Sequence, residues 1–155
     1  MLRQRRHLPP RPIADIRLDG GRLCLDFVNT IHDRYALEIE DYLQQPQRFI
    51  EWCVRAGALH PDDSARAPRA ADQRAALMRE VESLRDHLHA LFAARIDDRR
   101  APAEAVRGLD RWVHMAWAGQ SLGADGNLHW RKDARDARLP LKRIALDALD
   151  LLGCT

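Results

Sequence analysis

The chain has 155 residues, a formal net charge of +2 and 31% charged residues. That length fits one domain able to bury a core without staples, and so small a net charge argues against a protein held to nucleic acid by many phosphate contacts. Cys24, Cys53 and Cys154 lie far apart with no Cys-x-x-Cys pair, which signals neither a disulfide framework nor a thiolate zinc site. A reducing cytoplasm is the expected location. No run of about 18 apolar residues marks a membrane span, and the charged, proline-broken start is unlike a secretory signal.

Residues 1–14 read as a disordered basic tail, with Arg3-Gln4-Arg5-Arg6-His7 ahead of Pro9-Pro10-Arg11-Pro12. Residues 15–155 read as a single domain. The most distinctive stretch is Gly20-Gly21-Arg22-Leu23-Cys24-Leu25-Asp26-Phe27-Val28-Asn29-Thr30. Leu23, Leu25 and Phe27 alternate with Cys24, Asp26 and Val28, the period of a strand, and Gly20-Gly21 after Ile16 and Leu18 would close a hairpin. Asp26 then shares a face with apolar neighbours and needs a partner. Arg22, Asp26, Asn29 and Thr30 are the candidate ligand-binding residues. The competing reading is that the short polar side chains satisfy backbone groups where strand gives way to helix.

Pro46 suits the first turn of a helix lined by Phe49, Ile50, Cys53 and Val54, with Gly57 as its stop. Residues Pro61 to Pro68 read as a surface loop. From Ala70 to Ile96, Leu77, Val81, Leu84, Leu88 and Leu91 form a heptad-like stripe, the mark of one helix in a bundle and also compatible with the seam of a homodimer. Pro102 is placed to open a further helix through Val106, Leu109, Val113, Met115 and Trp117, ended by Gly119. Ser121 to Trp130 reads as a hairpin around Asp125-Gly126, and an amphipathic helix follows Pro140, with Gly153 as its cap. This order predicts an α+β fold, mainly helical, with a small antiparallel sheet from two hairpins packed on a helical bundle.

Signatures of catalysis are thin: the chain has no glycine-rich phosphate loop, no Gly-x-Ser-x-Gly and no His-Glu-x-x-His. His87 and His89 are two apart, which points them to different sides of a helix and makes them poor metal partners. They read as solvated helix positions. His32 with Asp26 is the alternative of a small hydrolase-like enzyme, since a carboxylate can orient an imidazole. Trp112, His114 and Trp117 frame either an aromatic pocket or part of the core.

The Gly20–Thr30 motif resembles the opening of the ABATE domain, the N-terminal half of bacterial stress-induced transcription regulators that end in a zinc finger with a Cys-Gly-Asn-Arg signature. Ile50 to Leu59 is similar to that family's second helix. Arg85-x-x-Leu88-x-x-Leu91-Phe92 is similar to its long helix, and Leu151-Leu152 to its last element. The resemblance implies a non-catalytic domain that senses a small molecule or stress signal. It implies zinc and DNA contact only through a finger that these residues do not include, so no cofactor is expected in this chain.

Overall fold

The structure, a computed structural model, describes residues 6–60, 68–134 and 136–153. The architecture is α+β and mainly helical. Chain order gives β1 (Arg6–His7), a 3₁₀ turn (Ile13–Asp15), α1 (Leu23–Val28), β2 (Ile31–His32), β3 (Glu38–Asp41) and α2 (Pro46–Arg55). There follow α3 (Ala71–Ile96), α4 (Ala103–Ala118), the hairpin β4 (Gln120–Leu122) and β5 (Leu128–Trp130), and α5 (Leu139–Gly153). The loop predicted at Pro61 to Pro68 lies, but for Pro68, outside the described residues, as does Cys154.

Helices α3, α4 and α5 pack in sequence, and α1 packs against both α3 and α5. Leu77, Val81, Leu84 and Leu88 are all at most 1% exposed and Leu91 is buried with them. The stripe is therefore consumed inside the bundle. On α4 the buried face is Ala105, Gly108, Leu109, Trp112, Val113 and Ala116, while Val106, Met115 and Trp117 are exposed. That corrects the predicted stripe and divides the aromatic trio, with Trp112 in the core and Trp117 edge-on to His114 at the surface. The Asp125-Gly126 hairpin forms as predicted; Gly126 has φ +78, a conformation that suits glycine in a hairpin turn. Arg143 of α5 sits over the Trp130 ring, 5.9 Å from its centre, and ties the hairpin down.

Three expectations need correction. Residues 23–28 are helix, not strand: Cys24, Phe27 and Val28 are the buried ones, the i, i+3, i+4 spacing of a helix face. The sheet beside the bundle is mixed, because β3 pairs antiparallel with β2 but parallel with β1. Residues 6–14 are part of the fold: Arg6 N–H and Leu8 N–H donate to Leu37 and Ile39 carbonyls at 2.9 Å, and Ile13 is 1% exposed.

His87 is half-buried and packs on α4 where Gly108 leaves room; a Cβ at Gly108 would stand 2.0 Å from His87 Nδ1. Gly108→Ala is expected to destabilise the parent by about 1–3 kcal/mol through overpacking. In a His87→Ala background the same change should stabilise by up to about 1 kcal/mol, the helix-propensity gain of alanine over glycine. Chemical denaturation of the four variants reads the change of sign. The equal cost of Gly108→Ala in both backgrounds would show that the imidazole is not what occupies the space.

His89, also half-buried, meets Tyr35 edge-on. Burial, reinforced by the nearby Arg34 guanidinium and only partly offset by Asp86, lowers its pKa from the ordinary value. The unfolded chain then binds the proton more readily, so stability falls as pH drops below about 6.5, the ordinary histidine value. His89→Gln should flatten that part of the profile, measured as urea midpoints across the histidine range.

Candidate functional site

The Gly20–Thr30 motif builds a corner. Gly21, with φ +71, adopts the left-handed conformation that glycine tolerates. Gly20 is needed for another reason: a Cβ there would lie 2.9 Å from Asp26 Oδ1, and its N–H donates to that same oxygen at 2.8 Å. Arg22, at the start of α1, donates to Asp147 Oδ1 at 3.0 Å and to Asp150 Oδ2 at 2.7 Å on α5. These carboxylates raise the Arg22 pKa. Asp147 Oδ2 also accepts the Cys24 N–H at 2.8 Å, so a side chain 123 residues away satisfies one of the orphan donors that open α1.

Thr30 is fully buried. Its hydroxyl donates to the Phe27 carbonyl at 2.6 Å and accepts from Arg85 Nη1 at 3.0 Å. Arg85, 1% exposed, donates through both terminal nitrogens to the Asp41 carboxylate at 2.8 and 2.7 Å. Asp41 Oδ1 accepts the Leu43 N–H as well. This buried pair fastens β3 and the α1–β2 corner to the middle of α3. The motif thus brings Arg22, Asp26, Asn29 and Thr30 to one corner, yet three of them are turned to partners inside the fold.

Asn29 is the exception, exposed at the end of α1 and lining a cleft of about 350 Å³. One wall is the segment carrying Arg11, Asp15, Arg17 and Asp19; the other carries Asn29 and His32, with Ile16, Ile31 and Tyr42 between. Arg11 is occupied, since its guanidinium forks onto both Glu40 oxygens at 3.1 Å. Burial works against the Glu40 charge, but the Arg11 bonds outweigh it and hold its pKa below the ordinary carboxylate value. The side chains of Arg17, Asp19 and Asn29 make no hydrogen bond or ion pair among the described residues. His32 Nε2 lies 3.4 Å from Asp33. Asp26 is engaged with Gly20 instead, so the His32–Asp26 pair of the enzymatic alternative is not formed.

A free cation, free carboxylates, an amide and an apolar strip in one cleft suit a small polar molecule carrying both charges. Among the described residues no serine or cysteine lines it. Cys24 and Cys53 are buried, and burial pushes both thiols up, with Asp147 adding to the rise at Cys24, away from nucleophilic character. Among the described residues no group of three or more His, Cys, Asp or Glu side chains could hold a metal ion. None of their helices is long and apolar enough to cross a membrane.

The family model "ABATE: Putative stress-induced transcription regulator" matches residues 21–154, nearly all of the chain and all of the corner but Gly20. This chain belongs to the ABATE family. No curated protein and no solved structure matches it. In this ABATE domain the matched stretch opens at the α1 corner, and the cleft walls reach back into residues 11–19, ahead of it. Of the cleft-lining residues the sequence motif includes Asn29, while Asp15, Arg17 and Asp19 lie outside it. Their alternation ahead of Gly20-Gly21 is the signal that was there to be read.

Proposed function

We propose that this ABATE domain is the non-catalytic, ligand-sensing part of a stress-induced transcription regulator, and that its signal is a small zwitterion of amino-acid size held in the cleft. The observation that carries this reading is that the side chains of Arg17, Asp19 and Asn29 line the cleft without partners among the described residues, although each could be satisfied by a ligand's carboxylate, ammonium or amide. A volume of about 350 Å³ lies at the small end of ligand pockets. Asp26 and Thr30 act here by fixing the corner from which Asn29 projects, and Arg22 by locking α1 to α5. The link from Thr30 to Arg85 offers a route by which occupancy reaches α3 and the bundle. Zinc and DNA contact are assigned to the finger that the family resemblance implies.

A thermal-shift screen of small polar metabolites tests the proposal. A ligand at a hundredfold excess over its Kd stabilises by about 2.7 kcal/mol, a Tm rise of about 5–10 °C for a chain of this size. Asn29→Ala and Arg17→Ala should each remove most of that rise while leaving the unliganded Tm close to the parent's. A ligand that stabilises parent and both variants equally would place the sensing site elsewhere.

A further inference from the structure

A second groove, of about 390 Å³, runs along the seam of α3 and α4, with Arg79, Glu80 and Ser83 on one wall and Arg111, Trp112 and Met115 on the other. Arg79 and Ser83 are one turn apart on α3, as are Arg111 and Met115 on α4, so each pair shares a helix face. Neither guanidinium has a hydrogen bond or ion pair among the described residues. Some guanidiniums are matched to carboxylates, as with Arg11 and Glu40, Arg22 and Asp147, or Arg85 and Asp41; Arg79 and Arg111, like Arg17, are not. Glu80 is the one acid among the lining residues, and it is already occupied: Arg138 Nε lies 3.0 and 2.8 Å from its two oxygens. Two cations without a partner among the described residues therefore flank Met115, 41% exposed, and the 7% of Trp112 that remains accessible.

We infer that this groove binds a phosphate monoester whose body is flat and apolar. Guanidinium forks fit phosphate oxygens two at a time, the Ser83 hydroxyl can donate a further bond, and indole with thioether provides a soft apolar seat. The extent of positive charge selects a single phosphate over a nucleic-acid backbone. Next along the same seam, Asp86 and Glu104 line the adjoining hollow together with Ser83 and His87, and they would repel a second phosphate.

Phenyl phosphate is the probe, titrated into the ¹⁵N-labelled full chain, with inorganic phosphate, phenol and a short DNA duplex as comparisons. Phenyl phosphate should shift the amide signals of Arg79, Ser83, Arg111 and Met115 and the indole signal of Trp112. Inorganic phosphate should act on the same residues more weakly. Arg79→Gln and Arg111→Gln should each weaken binding by about tenfold, the low end for a hydrogen bond to a charged group, with circular dichroism unchanged. Phenol reproducing the shifts, the variants binding as the parent does, or the duplex displacing phenyl phosphate from these residues would each overturn the assignment.

Discussion

Arg85→Met should lower the unfolding free energy by about 3–5 kcal/mol, because it leaves the Asp41 carboxylate buried without its counter-charge. Asp41 and Arg85 are 7% and 1% exposed, and two direct bonds at 2.8 and 2.7 Å join them. Arg85 Nε is buried with no partner, so the pair is not fully satisfied, and its removal as a unit should cost less than its disruption. Adding Asp41→Asn to Arg85→Met should therefore recover part of the loss, since the charge is gone while an amide oxygen remains for the Leu43 N–H. Loss of one kcal/mol or less in urea unfolding would mean that water reaches Asp41 and that the corner is not fastened to α3 in this way. Against a typical total of about 5–15 kcal/mol, the single change takes a large share of the stability.

Phe27→Ala is the second large effect, expected at about 3–5 kcal/mol for truncating a fully buried phenyl ring. Phe27 and Trp52 are both 0% exposed, their ring centres 5.7 Å apart. A double-mutant cycle between them should give a coupling of about 0.5–1.5 kcal/mol. The comparison with Leu25→Ala distinguishes the two ways of folding the segment. In a helix Phe27 points inward with Cys24 and Val28 while Leu25 is half-buried, so Leu25→Ala should cost clearly less than Phe27→Ala. Comparable costs at both positions would restore the alternating, strand-like reading.

The elements that were legible in the sequence are those whose pattern is long. The repeat from Leu77 to Leu91 spans four turns, and Pro46, Pro102 and Asp125-Gly126 punctuate the chain by local sterics alone. The six residues of α1 satisfy a period of two as well as one of 3.6, and what decides between them lies outside the segment: Asp147 caps it from α5. The basic arm failed for the same kind of reason. Composition made it look disordered, but its order comes from β3, through the backbone pairing of Arg6 and Leu8 and the fork of Arg11 onto Glu40.

The candidate site divides along similar lines. Short polar residues at the end of an apolar segment drew attention to Arg22, Asp26, Asn29 and Thr30, yet neither composition nor spacing tells a side chain that faces solvent from one that is bound inside. Asp15, Arg17 and Asp19 belong to no motif that would single them out in the sequence. Arg85 was visible as the first residue of the Arg-x-x-Leu-x-x-Leu-Phe pattern and sits one position from Leu84 on the buried face of α3, but its partner Asp41 is 44 residues earlier.

The central proposal is that the cleft beside Asn29 holds the signal molecule. Amide hydrogen exchange of the full chain, with and without a saturating stabiliser from the metabolite screen, tests it most directly. Protection gained chiefly in residues 11–19 and 29–32, with a smaller gain around Arg85, is the expected result. Protection centred on α4 or on the β4–β5 hairpin, with residues 11–19 and 29–32 unchanged, would contradict it.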